Sequence, residues 1–386
     1  MEKLTADELV GLVKSVFPRL EQDRQLAILV DIPKHGRTDN PEWKLRREIC
    51  MDWYLALKEG INRLNLDAVH LVAYPEVGSN NAELPETGFI LVNQIPSRAE
   101  DLDDHGEAVA FKQVFSQFQL FLAPTEYSTT APLKNAAKKY GFRAGTMPGF
   151  SPAMIPALRI DYGEVSRRVG ILKDILDPAQ WAEVVFTVDQ KSNYQIRFDL
   201  RHRTAHLSSG RFAVPGIAGN VPSGETYIVP YEGEKDPSET NGILPVQLDQ
   251  QVLLFEIQGN RAIEVRSESG INDLESLVSE RDFLEREPAY GNMAELGFGV
   301  LGDFGLEPIG EILLDEKLGF HVAFGRSDHF GGIVGPSDFS SPANVIHLDR
   351  VYIPSIQSRL EVKSLVLGEN GSQTVTVMKD GQYLLF

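Results

Sequence analysis

Three observations predict an α/β N-terminal domain with a mostly parallel sheet, followed by an α+β domain. Over the first half, apolar strand-like runs alternate with helical segments, the pattern of a parallel sheet covered on both faces. Beyond it the chain turns to strand-like stretches separated by turns rich in Gly, Asn and Ser. The length of 386 residues and the apolar content of 42% suffice for two hydrophobic cores.

The first helix is signalled by the capping-box pattern Thr5-Ala6-Asp7-Glu8, with Leu9, Val10, Val13, Val16 and Phe17 at helical spacing behind it. The continuous run Leu26-Ala27-Ile28-Leu29-Val30-Asp31 reads as a strand buried on both faces. A long helix follows from about Pro41 to Arg63, and further strands are expected around Ala68 to Ala73, Phe89 to Asn93 and Leu120 to Ala123. No Gly-x-Gly-x-x-Gly follows the first strand, so a dinucleotide loop has no basis. The hydroxyl-rich Pro124–Thr130 stretch could line a ligand site at the end of a strand, but reads better as the N-cap of the helix carrying Lys134 to Tyr140. Phe111, Phe115, Phe118 and Phe121 form an aromatic stripe of core type.

After a helix over Tyr162 to Leu176, the Asp177-Pro178 step is a natural hinge, because the residue before proline is pushed out of helical geometry. The expected domains are therefore 1–178 and 179–386. In the second, strands are expected over Ala182–Val188, Tyr194–Leu200, Val252–Ile257, Ala262–Arg266, Phe320–Phe324 and Thr374–Met378, with one helix from about Asn272 to Glu287.

Charge narrows the function. Lys and Arg number 37 against 55 Asp and Glu, a net charge of −18, which argues against nucleic acid and anionic membrane as partners. The single cysteine, Cys50, reads as a core residue and points to a reducing compartment. The chain opens on charged residues and contains no apolar run of membrane-spanning length, so a cytoplasmic protein is expected.

The chemistry gathers between Glu295 and Asp349, which hold three of the eight histidines: His321, His329 and His347. Carboxylates and imidazoles together form the donor set of hydrolytic Zn, Mn or Co centres. In His347-Leu348-Asp349 the two polar residues stand two apart, so an extended backbone puts both on one face. His202 and His206 have helical ligand spacing, but their flanks read as strand and turn.

An ordered series of motifs adds to this. Pro222-Ser223-Gly224-Glu225, Pro230 with Glu232-Gly233, Ala294-Glu295-Leu296-Gly297-Phe298-Gly299, His321-Val322-Ala323-Phe324-Gly325, Phe330-Gly331-Gly332 and His347-Leu348-Asp349 occur in that order. The series resembles the M29 (aminopeptidase T type) metallopeptidases. Ala144–Gly149, Asp161-Tyr162, and Phe198 with Arg201 extend the resemblance over roughly residues 115 to 354. It implies that Glu225, Glu295, His321, His347 and Asp349 ligate a pair of divalent ions (Zn, Co or Mn), with Glu225 and Glu295 essential to catalysis. It also implies cleavage of the N-terminal peptide bond of a peptide or small-molecule substrate, and a homodimer. The general base is left open between Glu316 and Glu232.

Two departures from the family pattern stand out. Seven residues after His321, where the family's aminopeptidases carry tyrosine, this chain has Asp328 followed by His329, either of which is a replacement ligand by type. The segment Gly299–Phe304 lacks the family's Thr-Asn-Pro. Two further readings follow. One is a mononuclear iron(II) ring-cleaving dioxygenase of the same superfamily, with a facial triad drawn from His321 or His329 together with His347 and Asp349. The other is a non-catalytic peptide-binding protein that kept the fold.

Overall fold

Thr5 caps the first helix, Ala6–Val16, as its sequence demands: its hydroxyl accepts from the Glu8 N–H, and the Glu8 carboxylate accepts from the Thr5 N–H at 2.7 Å. The computed structural model describes residues 2–369 and 374–386. These fall into two units: the chain up to Ser166 with Gly210–Ser223, and Arg167–Ser209 with the chain from Gly224 onward.

The first unit is built on a seven-stranded sheet in the order Ile217–Asn220, Arg143–Thr146, Leu120–Ala123, Gln25–Ile32, Ala68–Pro75, Thr87–Leu91, Gly106–Ala110. The first five run parallel and the last two add antiparallel at one edge. The expected strands are all present, and Leu26 through Val30 are wholly buried. Phe111, Phe115, Phe118 and Phe121 lie in the core beside Phe142, and Cys50 is buried. The long helix ends at Glu59 and a separate turn, Ile61–Leu64, follows Gly60. The hydroxyl-rich stretch does serve the start of helix Thr130–Tyr140: Ser128 Oγ accepts from the Thr130 N–H at 3.3 Å, and Asn81 Oδ1 accepts from the Ala131 N–H at 3.0 Å, while Thr129 makes no side-chain cap bond.

Two antiparallel sheets make up the second unit. One has eight strands, with Trp181–Val188 and Leu360–Gly368 at its middle. The other has five, in the order His347–Val351, Phe320–Gly325, Met293–Gly299, Glu225–Ile228, His206–Ser208. Aromatic contacts join them: Phe255 lies 5.1 Å from Phe324 with the rings tilted, and Phe186 lies 6.5 Å from Phe320. Each such buried ring contributes about 2–3 kcal/mol. Because side chains alternate along a strand, committing Phe320, Val322 and Phe324 to this core turns His321 and Ala323 to the opposite face. The expected helix is shorter, Glu275–Arg286. Among the described residues, no helix is long and apolar enough to cross a membrane.

Candidate metal centre

Strand register assembles the site. In the five-stranded sheet Glu225 pairs with Gly299, Tyr227 with Gly297, Gly297 with His321, Glu295 with Ala323, and Ala323 with Asp349. Directly paired residues share a face, so the acids, the imidazoles and the Tyr227 phenol all rise from one side of the sheet. Small residues stand between them. A Cβ at Gly297 would lie 1.8 Å from Nε2 of His321, so the imidazole occupies the space a side chain would take. A Cβ at Gly299 would come within 2.4 Å of the Lys317 backbone. These two contacts explain why Glu295 is followed by glycine at both alternate positions.

Two groups of donor atoms result, each with its atoms within 4.8 Å of one another: Glu225, Glu295 and His321, and Glu295, His347 and Asp349. Glu295 belongs to both. Its Oε1 lies 3.5 Å from His321 Nε2 and its Oε2 3.2 Å from His347 Nε2. Each imidazole is turned by a backbone carbonyl: His347 Nδ1 donates to Arg326 O at 2.7 Å and His321 Nδ1 to Gly319 O at 3.2 Å. That leaves both Nε2 atoms facing the carboxylates, the orientation a ligating histidine takes from its outer partner. His347 and Asp349 share a strand face, as their spacing predicts.

Electrostatics follow from crowding acids in a buried place. Burial pushes Glu225 up, reinforced by the neighbouring carboxylates and opposed by Lys317 and His321. Burial would lower His321, but its contact with Glu295 and the charge of Asp349 win and push it up to about 10. His347 is likewise raised against burial, by Asp349 and Glu295. In turn the imidazoles outweigh burial at Glu295 and Asp349, holding both carboxyls low. Glu316 is pushed up to about 8, chiefly by burial and by the charges of Glu225 and Asp349. Lys317 pairs with both Glu316 and Glu225, the latter at 3.4 Å, and these carboxylates raise it against burial.

The donors fit a divalent ion. They are carboxylate oxygens and imidazole nitrogens, the set that Zn, Mn, Co and Fe accept. Asp349 Oδ1 is buried, makes no hydrogen bond, and faces His347 Nε2 at 3.5 Å, a spacing that leaves both atoms able to take one shared ion.

Not every expected residue joins these groups. The Asp328 carboxylate pairs with Arg326 at 2.5 Å and lies outside both. His329 is also outside, its ring 5.3 Å from that of His347, and burial together with the His347 charge depresses it to about 4. Glu232 is engaged elsewhere: its carboxylate accepts from Ser327 Oγ, Asn292 Nδ2 and the Ile333 N–H, tying down the Phe330-Gly331-Gly332 turn. Of the two residues considered for the base, Glu316 alone adjoins the donors. His206 stacks on Tyr227 at 5.2 Å, and Phe330 lies 4.7 Å from the same ring, so these form an aromatic wall beside the donors.

Sequence reasoning missed Tyr227 and Lys317. Tyr227 was recoverable, since it stands two residues beyond Glu225 in a strand. For Lys317 no local signal exists, because its place depends on Gly299 pairing with Glu225 across the sheet.

No protein-family profile and no curated protein sequence matches the chain. Solved structures do. The 2,5-dihydroxypyridine dioxygenase of Pseudomonas putida is 14% identical with a TM-score of 0.59, the match covering 98% of this chain and 96% of that one. AmpT of Thermus thermophilus, an M29 aminopeptidase, is 12% identical with a TM-score of 0.51, covering 98% of both chains. At these identities the likeness establishes the fold, a two-domain architecture similar to that of AmpT.

Proposed function

We propose that this protein is a metal-dependent hydrolase of aminopeptidase type, acting on an N-terminal peptide bond. The observation that carries the proposal is the pair of donor groups joined through Glu295. A single carboxylate reaching both groups is the arrangement a two-ion hydrolytic site needs. Divalent ions held there would acidify a water and stabilise the oxyanion of the attacked carbonyl. Glu225, Glu295 and Asp349 supply the negative charge, and His321 and His347 the directional nitrogens. Glu316 is the side chain suited to carry a proton between water and leaving amine, since it lies buried beside the donors and pairs with Lys317. Tyr227 and Phe330 form a wall against which an apolar substrate group can rest.

A second reading rests on residue types and on the likeness in fold to the dihydroxypyridine dioxygenase. His321, His347 and Asp349 include the two imidazoles and one carboxylate of a facial iron(II) triad. A ring-cleaving dioxygenase would use those three and leave Glu225 aside.

The test is turnover of amino-acid p-nitroanilides after loading with Zn, Mn or Co, set beside dioxygen consumption with 2,5-dihydroxypyridine after loading with Fe(II). Amide cleavage without oxygen uptake is expected. Oxygen uptake with the pyridine and no amide cleavage overturns the hydrolase. The homodimer stands as a proposal too, checked by light scattering on the purified chain.

A further inference from the structure

The two donor groups share Glu295 but differ in what stands beside them. Lys317 is 2% exposed, and its ammonium sits 3.4 Å from Glu225 Oε1 while also pairing with Glu316. The placement is built in by the backbone. Gly299 pairs with Glu225 across the sheet, and the Lys317 carbonyl packs so closely on Gly299 that no Cβ fits there. The cation is thereby delivered to the Glu225 end. At the other end, Asp349 Oδ1 faces the His347 imidazole, its Nε2 3.5 Å away, in place of an ammonium.

We propose that Lys317 makes the two metal positions unequal: one divalent ion binds firmly through Glu295, His347 and Asp349, and a second binds weakly and exchangeably through Glu225, Glu295 and His321. This rests on the reading of these residues as metal ligands. Charge balance supports it. Glu225, Glu295 and Asp349 carry three negative charges, which one dication and the Lys317 ammonium neutralise. A second dication leaves an excess of two positive charges in a buried place, or one if Glu316 is ionised. Such an excess is costly at low dielectric until an anion enters with the ion. Lys317 also competes directly for Glu225 Oε1. It is a residue that acts through Glu225, setting occupancy rather than touching substrate.

The experiment is a titration of the metal-free full chain with Mn(II), read by calorimetry and by the paramagnetic resonance of coupled ion pairs, with no substrate present. The native chain is expected to take one ion tightly and a second about 100-fold more weakly or worse, the scale of one unfavourable buried charge. Lys317→Met should bring the two affinities to within about tenfold of each other, and Lys317→Arg should keep them apart. Glu225→Gln should retain the first ion and lose the second, which tests the assignment even if Lys317→Met fails to fold. Two equal ions in the native chain, unequal affinities that persist in Lys317→Met, loss of the first ion in Glu225→Gln, or no bound metal at all would each overturn the proposal. Because no substrate is used, unequal binding without amide cleavage supports Lys317 while removing the hydrolase, and equal binding with cleavage does the reverse.

Discussion

Both units bury carboxylates, and the contrast between them separates structure from chemistry. In the first, Asp23 is 2% exposed and meets Arg143 in a two-pronged pair at 2.8 and 2.6 Å, while the other guanidinium nitrogen donates to the Pro18 and Phe212 carbonyls. Both charges of that pair are met by protein groups. In the second, Glu225, Glu295 and Asp349 converge on two imidazoles, and a carboxylate oxygen of Asp349 lacks a hydrogen-bond partner. Burying an acid is therefore not by itself a functional signal. Convergence of acids and imidazoles into groups whose donor atoms lie within 4.8 Å of one another is one.

The sharpest way to break the comparison is to neutralise the shared acid. Glu295→Gln removes a ligand from both donor groups, so activity should fall by a factor of about 1,000 or more while the fold persists. Circular dichroism and the melting temperature check the second half of that statement. Loss of activity through unfolding would place Glu295 among structural acids like Asp23. The converse test lies in the first unit. Arg143→Met strands Asp23 as an unpaired buried charge and should cost about 3–5 kcal/mol of stability by chemical denaturation. Metal stoichiometry in that variant should be unchanged, and a change would show that the two units are not separable in the way drawn here.

A smaller effect probes the backbone beneath the site. In Gly297→Ala the new methyl would overlap the His321 ring, so the imidazole must move. Metal affinity should drop about 10–100-fold, in the range seen when a ligand loses its orientation. An unaltered affinity would mean that His321 does not ligate in the position observed.

How much of this was legible in sequence depends on the range of the interaction. Three of the five parallel strands of the first unit announce themselves locally, because a strand buried on both faces tends to be apolar throughout, as Leu26 to Val30 are, whereas Arg143–Thr146 and Ile217–Asn220 carry no such run and were not expected. The two edge strands are less plain. Gly106–Ala110 is short and half exposed, and carries no strong pattern. In the second unit His347 and Asp349 could be placed on one face from period two alone. Glu225–Ile228 is only four residues long, so Glu225 was recognisable from the order of motifs and not from any strand signal. Lys317 lies outside the strands and reaches Glu225 because its backbone packs on Gly299, the residue paired with Glu225 across the sheet. Such pairings are set by tertiary register, which no local window contains.

The smallest expected effect returns to the first unit and to an acid between the two extremes. Asp31 is the last residue but one of the central strand, is 1% exposed, and accepts from the Glu126 and Tyr127 N–H groups at 2.8 and 3.1 Å. Burial raises it to about 7, against the lowering effect of those N–H groups and of Arg46. A carboxyl whose folded value lies above its unfolded one stabilises the fold while protonated, and that contribution is lost as pH rises through the folded value. Between pH 6 and 8 the native form sheds most of this proton while the unfolded form has none to lose. Stability should therefore fall by about 1.4 kcal/mol over that interval from Asp31 alone. Asp31→Asn cannot ionise, so its denaturation midpoint should lack this fall from pH 6 to 8, whatever its overall loss from replacing one acceptor oxygen with a donor. If the pH dependence persists undiminished in Asp31→Asn, this acid is already ionised and fully compensated by its N–H partners, and it belongs with Asp23.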